Sequence, residues 1–214
     1  MRLAKGTRSE CRFGFTGTSG ARVGVSLFFN RRFRRPKKPQ SAWEGSYTAF
    51  FDPDFSIRLH KVADDAPSHW LHFDAKYRLE RHLSETFFEE PPDGKSDARA
   101  ADYEAEVARV HKLEDLFKMH TYRDGILGTR GAYVLFPGDG VGGIVSLPKP
   151  NLFVRNPAAF GGSGSHRIPS VGAFDLAPGA NAEQKQAIAS LLASALEAVA
   201  GPSAYEEERG HWTP

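Results

Sequence analysis

Alternating hydrophobic and polar residues predict two neighbouring β-strands in the first half of the chain. In DFSIRL, residues 54–59, every second residue is apolar, so Asp54 lies on the polar face. In WLHFDAKYR, residues 70–78, the same alternation puts Asp74 and Lys76 on one face. The polar segment HKVADDAPSH joins the two. The pattern therefore predicts a β-hairpin that carries two acids and a lysine on one of its faces.

The rest of the pattern predicts a mixed sheet flanked by helices. The predicted elements are a strand at 22–29, a helix from about residue 102 to Gly125 or Gly128, a buried strand at 132–136, and a C-terminal helix with Asn181 as its N-cap and Gly201 just past its end. A helix followed by a buried strand is typical of α/β alternation around a mixed sheet. We therefore expect an α/β (α+β) fold.

Length and composition are those of one globular domain. The chain has 214 residues, of which 40% are hydrophobic and 25% are charged. We expect a core at about 22–200, an exposed insertion at 84–103, where prolines and charges cluster, and a tail at 202–214. No apolar run approaches the roughly 20 residues of a membrane span and no secretory signal is visible, so we expect a cytoplasmic protein. Cys11 is the only cysteine, which excludes an intrachain disulfide.

A basic segment follows the first predicted strand, although the formal net charge of the chain is only +2. Six of the eight residues from 31 to 38 are basic, namely Arg31, Arg32, Arg34, Arg35, Lys37 and Lys38. Such a segment is able to follow the phosphates of a nucleic acid. The alternative is a solvated surface loop or a contact with a protein partner, and charge alone does not separate the two interpretations.

The hairpin also predicts a geometry for its two acids. Pairing that is symmetric about residue 64, the middle of the loop, places Asp54 opposite Asp74. Directly opposed residues have Cβ atoms about 4.5–5.5 Å apart, where like charges are destabilising unless a cation lies between them. Mg²⁺ prefers carboxylate oxygens and usually takes one or two from the protein. We therefore expect Asp54 and Asp74 to bind one divalent cation.

Lys76 lies two residues beyond Asp74 on the same face, about 6.5 Å along the strand. From there its ammonium group is able to reach a water or a phosphate oxygen beside the metal. The metal would activate the water, and Lys76 would orient it or stabilise charge in the transition state. The alternative is an ordinary hairpin with a solvated polar face, in which Asp54 caps a turn and Lys76 pairs with Asp74 across solvent.

A second candidate pair lies on the predicted helix, in EDLFKMHTYRDG. Lys118 and Tyr122 are four residues apart, so they lie on one side of a helix. There they would contact a phosphate or hold the waters of the metal. The alternative is a surface lysine that packs along a half-buried tyrosine.

Five segments occur in a fixed order along the chain: SY with PDFSI (46–57), HFDAKYR (72–78), KMHTYRDGI (118–126), AYVLFPG (132–138) and IPSVGAFDLAPG (168–179). Together they resemble the PD-(D/E)xK superfamily nuclease domain related to McrC. The resemblance implies a restriction-endonuclease-like mixed central sheet flanked by helices. It also implies that Asp54 and Asp74 are the metal-binding acids and Lys76 the catalytic lysine. Lys118 and Tyr122 take the place of the QxxxY helix motif of related nucleases.

The resemblance implies a function as well. McrC-like proteins are nuclease subunits of McrBC-type, modification-dependent restriction systems. The chain would then be a Mg²⁺-dependent endodeoxyribonuclease of restriction or phage defence, with Mn²⁺ as a substitute and an NTPase motor or other subunit as partner. The superfamily fold usually begins with a helix that supplies a further acid, and here that first helix is missing from the predicted elements. We therefore expect a truncated gene product, the C-terminal part of a split protein, or a subunit completed by a partner. The alternatives are a non-catalytic DNA-binding or assembly subunit that keeps the nuclease fold, and a nuclease of DNA repair or recombination.

Overall fold

The computed structural model describes residues 9–37, 45–62, 68–76, 114–136, 152–155, 167–176 and 182–201, which form one seven-stranded sheet and two helices. The strands are β1 (Ser9–Thr16), β2 (Arg22–Phe29), β3 (Phe55–Lys61), β4 (His69–Ala75), β5 (Thr129–Phe136), β6 (Leu152–Val154) and β7 (Ser170–Asp175). The helices are α1, described over residues 114–125, and α2 (Ala182–Ala200). The mixed sheet with flanking helices confirms the predicted fold class. The insertion expected at 84–103 and the tail expected at 202–214 lie outside the described residues.

The order of the strands divides the sheet into an antiparallel and a parallel half. That order is β1-β2-β3-β4-β5-β7-β6. The first four strands run antiparallel to one another, β4, β5 and β7 run parallel, and β6 pairs antiparallel with β7 at the edge. A parallel pair needs a long crossover, and α1 lies on the crossover from β4 to β5.

Most of the predicted elements are confirmed, and three strands escape the sequence pattern. The strand at 22–29, the hairpin and α2 occur as predicted, α1 ends at Gly125, and β5 begins three residues before the predicted strand. The pattern does not predict β1, β6 or β7. β1 contains polar residues and a glycine, and β6 has only three residues. The pairing of β1 with β2, of β7 with β5 and of β6 with β7, rather than local propensity, makes them strands.

One face of the sheet packs against α2. This layer is a cluster of buried apolar side chains, contributed by Val23, Leu59, Leu71, Phe73, Tyr133 and Phe174 of the sheet and by Leu191, Ala195 and Val199 of the helix. The three helix residues recur every four positions, so they form one stripe. Burying each large apolar side chain contributes about 1.5–3 kcal/mol. The predicted docking of the C-terminal helix on the sheet is confirmed. Neither described helix is long and apolar enough to cross a membrane.

The opposite face packs against α1 and combines aromatic with polar side chains. Met119 and Tyr122 of α1, and Ile126 directly after it, lie in one buried cluster with Trp70 of β4. His72, on the same strand face, is fully buried between Ser56 Oγ at 2.9 Å and Thr129 Oγ1 at 3.0 Å. Burial, and then the charge of Arg31, lowers the pKa of His72 to about 3, so its ring is neutral. Because β4 is covered on both faces, the alternative of a solvated polar face is wrong for this strand.

The chain between β2 and β3 is held at three points. Asn30 has a φ of 51°, a left-handed conformation that Asn tolerates, and its N–H donates to the carbonyl of Asp54 at 2.8 Å. Phe33 and Phe51 form an isolated β-bridge, and so do Ser46 and Ile126. These contacts fix the position from which Asp54 enters β3.

Candidate active site

The hairpin register brings Asp54 and Asp74 to the same end of the sheet. Phe55 pairs with Phe73 and Ser56 with His72, which is the predicted pairing about residue 64. Asp54 immediately precedes β3, and its Oδ2 accepts a hydrogen bond from the backbone N–H of Ala75 at 2.7 Å. The Asp54 carboxylate is therefore held against the end of β4.

Asp74 is the centre of the cluster. Its side chain is only 4% exposed, and each carboxylate oxygen accepts a hydrogen bond from an ammonium group. Lys118 Nζ is 2.8 Å from Oδ1, and Lys76 Nζ is 3.0 Å from Oδ2. A buried carboxylate is costly unless it is paired. The two lysines supply the opposite charge from the strand and from α1.

Lys76 lies between two carboxylates. Its Nζ is also 3.1 Å from Asp115 Oδ1, and its backbone N–H donates to the carbonyl of Leu135 at 2.8 Å. Burial alone would lower the pKa of Lys76, but hydrogen bonds and charge from Asp74 and Asp115 outweigh burial and raise it. Lys76 is therefore a cation at neutral pH, which suits charge stabilisation better than proton abstraction.

Lys118 and Tyr122 both reach Asp74 from α1. The Lys118 ammonium lies 5.4 Å from the centre of the Tyr122 ring, and the Tyr122 hydroxyl donates to Asp74 Oδ1 at a long 3.4 Å. Burial, followed by the charges of Asp74 and Asp54, raises the pKa of Tyr122. The tyrosine therefore remains a protonated donor. Lys118 does pack along the tyrosine, as in the alternative interpretation, but its ammonium is engaged with a buried acid rather than with solvent alone.

Asp115 is a site residue that sequence reasoning missed. It precedes Lys118 by three positions and Tyr122 by seven, so all three lie on one side of α1. This spacing was visible in EDLFKMHTYRDG. Its meaning depended on which side of the helix packs against β4, and the sequence does not specify that.

The basic segment divides into two parts. The Arg31 guanidinium lies 4.6 Å from the Phe28 ring centre and 4.7 Å from that of Trp70. Arg32 makes a bidentate pair with Asp52, with its closest contact at 2.7 Å. These contacts of Arg31 and Arg32 hold the segment after β2 near the candidate active site. The residues further along that lie at the surface are Arg34, Arg35 and Lys37, and Lys38 lies outside the described residues.

A second basic surface crosses the antiparallel half of the sheet, on the face that carries α1. Arg12 of β1 pairs with Ser26 of β2, which pairs with Arg58 of β3, so the two arginines occupy one row. His60 lies in the next row, over Gly24, where an added Cβ would clash with the imidazole ring. Burial, and then the charges of Arg58 and Arg12, lowers the pKa of His60. The local potential is therefore positive. Sequence reasoning missed this row because its members come from strands that are far apart in the chain.

The acidic side chains fit a divalent cation. Asp54 and Asp74 offer the hard oxygen ligands that Mg²⁺ and Mn²⁺ prefer, and two carboxylates are the number that Mg²⁺ commonly takes from protein. Asp115 joins them through Lys76. In the part of the chain that the structure describes, no group of three or more His, Cys, Asp or Glu side chains could hold a metal ion. Water and substrate oxygens would therefore occupy the remaining coordination positions of the cation.

Comparison with known proteins places the chain in a family. The family described as the PD-(D/E)XK nuclease superfamily matches residues 1–141, about two thirds of the chain, and this region contains the hairpin and α1. Neither the curated proteins nor the solved structures gave a significant match. The match agrees with the seven-stranded mixed sheet and its two described helices, and membership suggests a nuclease. The chain belongs to the PD-(D/E)XK nuclease superfamily.

Proposed function

We propose that the chain is a metal-dependent endonuclease that hydrolyses phosphodiester bonds in DNA. The observation that supports this proposal best is the cluster at the open end of the hairpin. Asp54, Asp74 and Lys76 meet there, and the ammonium group of Lys76 is 3.0 Å from the acid that it would assist. Acids that bind a metal ion and a protonated lysine are groups that metal-assisted hydrolysis of a phosphodiester can use.

In this proposal each side chain has a separate task. Asp54 and Asp74 would hold a Mg²⁺ or Mn²⁺ ion, which when bound acts as a Lewis acid and lowers the pKa of water. A water oxygen forms a bond to phosphorus while the bond from phosphorus to the leaving oxygen breaks. Lys76, held as a cation by Asp74 and Asp115, stabilises the negative charge that develops on the phosphoryl oxygens.

The residues of α1 prepare this site. Lys118 pairs with Asp74 and thus compensates a buried charge until substrate and cation arrive. The side chain of Lys118 is 40% exposed, so it can turn toward a phosphate without breaking the core. Tyr122 stays protonated and donates a hydrogen bond toward Asp74, which helps to orient the carboxylate.

Two basic surfaces support a polyanionic substrate. The row of Arg12 and Arg58 lies on the sheet face that carries α1, and Arg34, Arg35 and Lys37 lie at the surface after β2. At 3.3–3.4 Å per residue, Arg58 is about 13 Å along β3 from Asp54. DNA carries one charge per strand in about every 3.4 Å of helix axis, so this row would meet phosphates a few nucleotides from the cleaved bond.

For the biological role we propose an McrC-like subunit that acts in the cytoplasm, in restriction or phage defence, together with an NTPase motor. The five-segment resemblance supports this role. Its test is to co-express the chain with an NTPase encoded beside it and to measure DNA cleavage with and without nucleotide. Stable co-purification and nucleotide-dependent cleavage are expected. Full cleavage by the chain alone, with no effect of the NTPase, would argue against this role and leave the nuclease proposal intact.

The nuclease proposal is tested with supercoiled plasmid DNA. The wild-type chain is expected to nick or linearise it with Mg²⁺ or Mn²⁺ and not with a chelator. Asp74→Asn and Lys76→Ala should each lose at least about a hundredfold in rate, since each removes a group needed in the transition state. The matched controls are Glu197→Gln on α2, whose carboxylate accepts a hydrogen bond from the Thr18 hydroxyl, and Lys61→Ala, whose lysine donates to the carbonyl of Gly201. Both controls should retain cleavage.

Two results would overturn the nuclease proposal. If the wild-type chain, alone and with its partner, cleaves no DNA at any divalent concentration, the chain is a non-catalytic subunit. If cleavage occurs but survives both Asp74→Asn and Lys76→Ala, the assignment of the site is wrong.

A further inference from the structure

Several large aromatic side chains remain exposed near the candidate active site. Among the described residues, the exposed large hydrophobic side chains are Phe13, Tyr47, Phe50, Val62 and Phe117. Tyr47 and Phe50 belong to the chain that leads into Asp54, and Phe117 belongs to α1. Their exposed fractions are 55%, 67% and 62%. A contiguous patch of exposed apolar side chains often marks a binding site.

The segment of residues 45–54, which carries Tyr47 and Phe50, is held in place by hydrogen bonds. The N–H of Tyr47 donates to the carbonyl of Gly125 at 3.3 Å, and Phe51 exchanges two backbone hydrogen bonds with Phe33, at 2.8 and 2.9 Å. The Arg32 guanidinium lies 5.5 Å from the centre of the Phe50 ring while it pairs with Asp52. The exposed rings are therefore presented by a fixed backbone and are not left outside by a loose loop.

Part of this surface is concave. A shallow pocket of about 360 Å³, here called the aromatic pocket, lies between residues 47–51 and α1. It is lined by Tyr47, Thr48, Phe51, Phe117, His120, Thr121, Asp124 and Gly125. Its volume lies near the lower end of the range for small-ligand pockets. Tyr47, Phe51 and Phe117 give its lining aromatic rings, and the other side chains that line it are polar.

The aromatic pocket adjoins the candidate active site. The Phe51 ring, which forms part of the pocket, is 5.9 Å from the Tyr122 ring in an edge-to-face contact. The Tyr122 hydroxyl in turn reaches Asp74 at 3.4 Å. Lys118, which pairs with Asp74, follows Phe117 directly in α1. A nucleotide whose phosphate lies at Asp74 would thus have its base within reach of the pocket.

We propose that the aromatic pocket binds an unstacked base of the strand that is cut, so that the preferred substrate is DNA with unpaired nucleotides next to the cleaved bond. The proposal rests on the proposed nuclease function and names its substrate class. Aromatic faces stack on any base, so the preference is for strand structure and not for sequence. Lys118, which pairs with Asp74, and Arg32, which pairs with Asp52, lie beside the rings. A phosphate of a nucleic acid strand would compete with these acids for the two cations, which an apolar protein segment would not do.

Binding without divalent metal tests the pocket separately from cleavage. The probes are a fluorescein-labelled single strand of about 12 nucleotides and the duplex of the same sequence, measured by fluorescence anisotropy. Phe117→Ala should weaken single-strand binding at least about fivefold and duplex binding much less, because one stacking contact is lost. Phe117→Tyr keeps the ring and should bind like the wild type, whereas Phe117→Leu should behave like the alanine variant.

Phe13→Ala is the matched control. Phe13 has the same exposed fraction as Phe117, 62%, but pairs with Val25 on the face of the sheet that carries α2. This variant should bind both probes like the wild-type chain. If Phe117→Ala and Phe13→Ala have the same affinity for the single strand, the pocket does not bind bases.

A cleavage comparison separates the failure of this inference from the failure of the nuclease proposal. The substrates are a duplex and a flap of the same sequence, with the unpaired strand at the junction. The wild type should cut the flap faster, and Phe117→Ala should lose that preference. Equal cutting of both substrates by the wild type overturns the inference and leaves the nuclease intact. If the wild type, alone and with its partner, cuts neither, the nuclease proposal fails, and the binding experiment still decides the pocket.

Discussion

The two faces of the central sheet are made from the same strands but differ in chemistry. The face toward α2 is mostly apolar, with Leu71, Tyr133 and Leu191 in one buried cluster, and it also buries His69, which pairs with Leu59. The face toward α1 buries His72 and Asp74 among aromatic rings. The α2 face depends mainly on complementary shape, whereas the α1 face must satisfy the polar groups of the site that it buries. We infer that packing on the α2 face contributes most of the stability, whereas the buried polar groups of the candidate site reduce the stability that the α1 face contributes.

The largest expected effect is on the α2 face. Leu191→Ala removes a fully buried side chain and should lower the free energy of unfolding by about 2–5 kcal/mol. Denaturant titration followed by circular dichroism measures it. Leu192→Ala is the matched control, because the neighbouring leucine is only partly buried and should cost clearly less. Equal losses in the two variants would contradict the proposed division between the faces.

The next effect is a pH dependence of stability that also arises on the α2 face. Burial, and then the charges of Arg130 and Lys61, lowers the pKa of His69 from 6.5 to about 4. Between these values the unfolded chain binds a proton that the folded chain does not, so stability is full above about pH 6.5 and falls as the pH decreases toward 4. The loss is on the order of 3 kcal/mol.

Urea unfolding at several pH values measures this dependence. His69→Gln should reduce the slope between pH 4 and 6.5, and His72 and His60, whose pKa values are also lowered, should retain the rest of it. His120→Gln, at an exposed histidine of α1, is the control and should leave the slope unchanged. An unchanged slope in His69→Gln would show that His69 is not buried as a neutral ring.

On the α1 face the expected effect is on activity rather than on stability. Asp115→Asn leaves Lys76 with Asp74 as its remaining carboxylate partner and should lower kcat about 10- to 100-fold, as loss of a supporting partner commonly does. The free energy of unfolding should change by less than about 1 kcal/mol, because this ion pair is partly exposed. Plasmid nicking and denaturant titration of one preparation measure both, with Glu197→Gln on α2 as the control. A large loss of stability with a normal kcat would show instead that Asp115 contributes to stability and not to activity.

The smallest expected effect concerns the basic row on the antiparallel half of the sheet. Arg12→Ala should weaken DNA binding a few fold and should reduce the slope of log affinity against log salt by about 1. Anisotropy at several salt concentrations measures it. Arg155→Ala removes an arginine that is 66% exposed and lies after β6, and it should leave the slope unchanged. The same slope in all three proteins would exclude the row from the DNA interface.

The hairpin shows how far local pattern reaches. The alternation in its two strands, together with the loop that joins them, favours the register that buries the apolar face of each strand. That register places Asp54 beside the end of β4. The basic segment shows the opposite case. Arg31 and Arg34 look alike in the sequence, but Arg31 lies against the Phe28 and Trp70 rings while Arg34 lies at the surface. Only contacts with strands β2 and β4 separate them.

The sequence by itself determined the strand and helix periods, the hairpin register and the group of Asp54, Asp74 and Lys76, because each of these depends on residues that are close along the chain. The tertiary structure alone decided that α1 covers Asp74 and that Asp115 holds Lys76. It also decided that β1 carries Arg12 into one row with Arg58. Those features arise from packing between distant segments, in which each local signal is weak and the free energy comes from the contact itself.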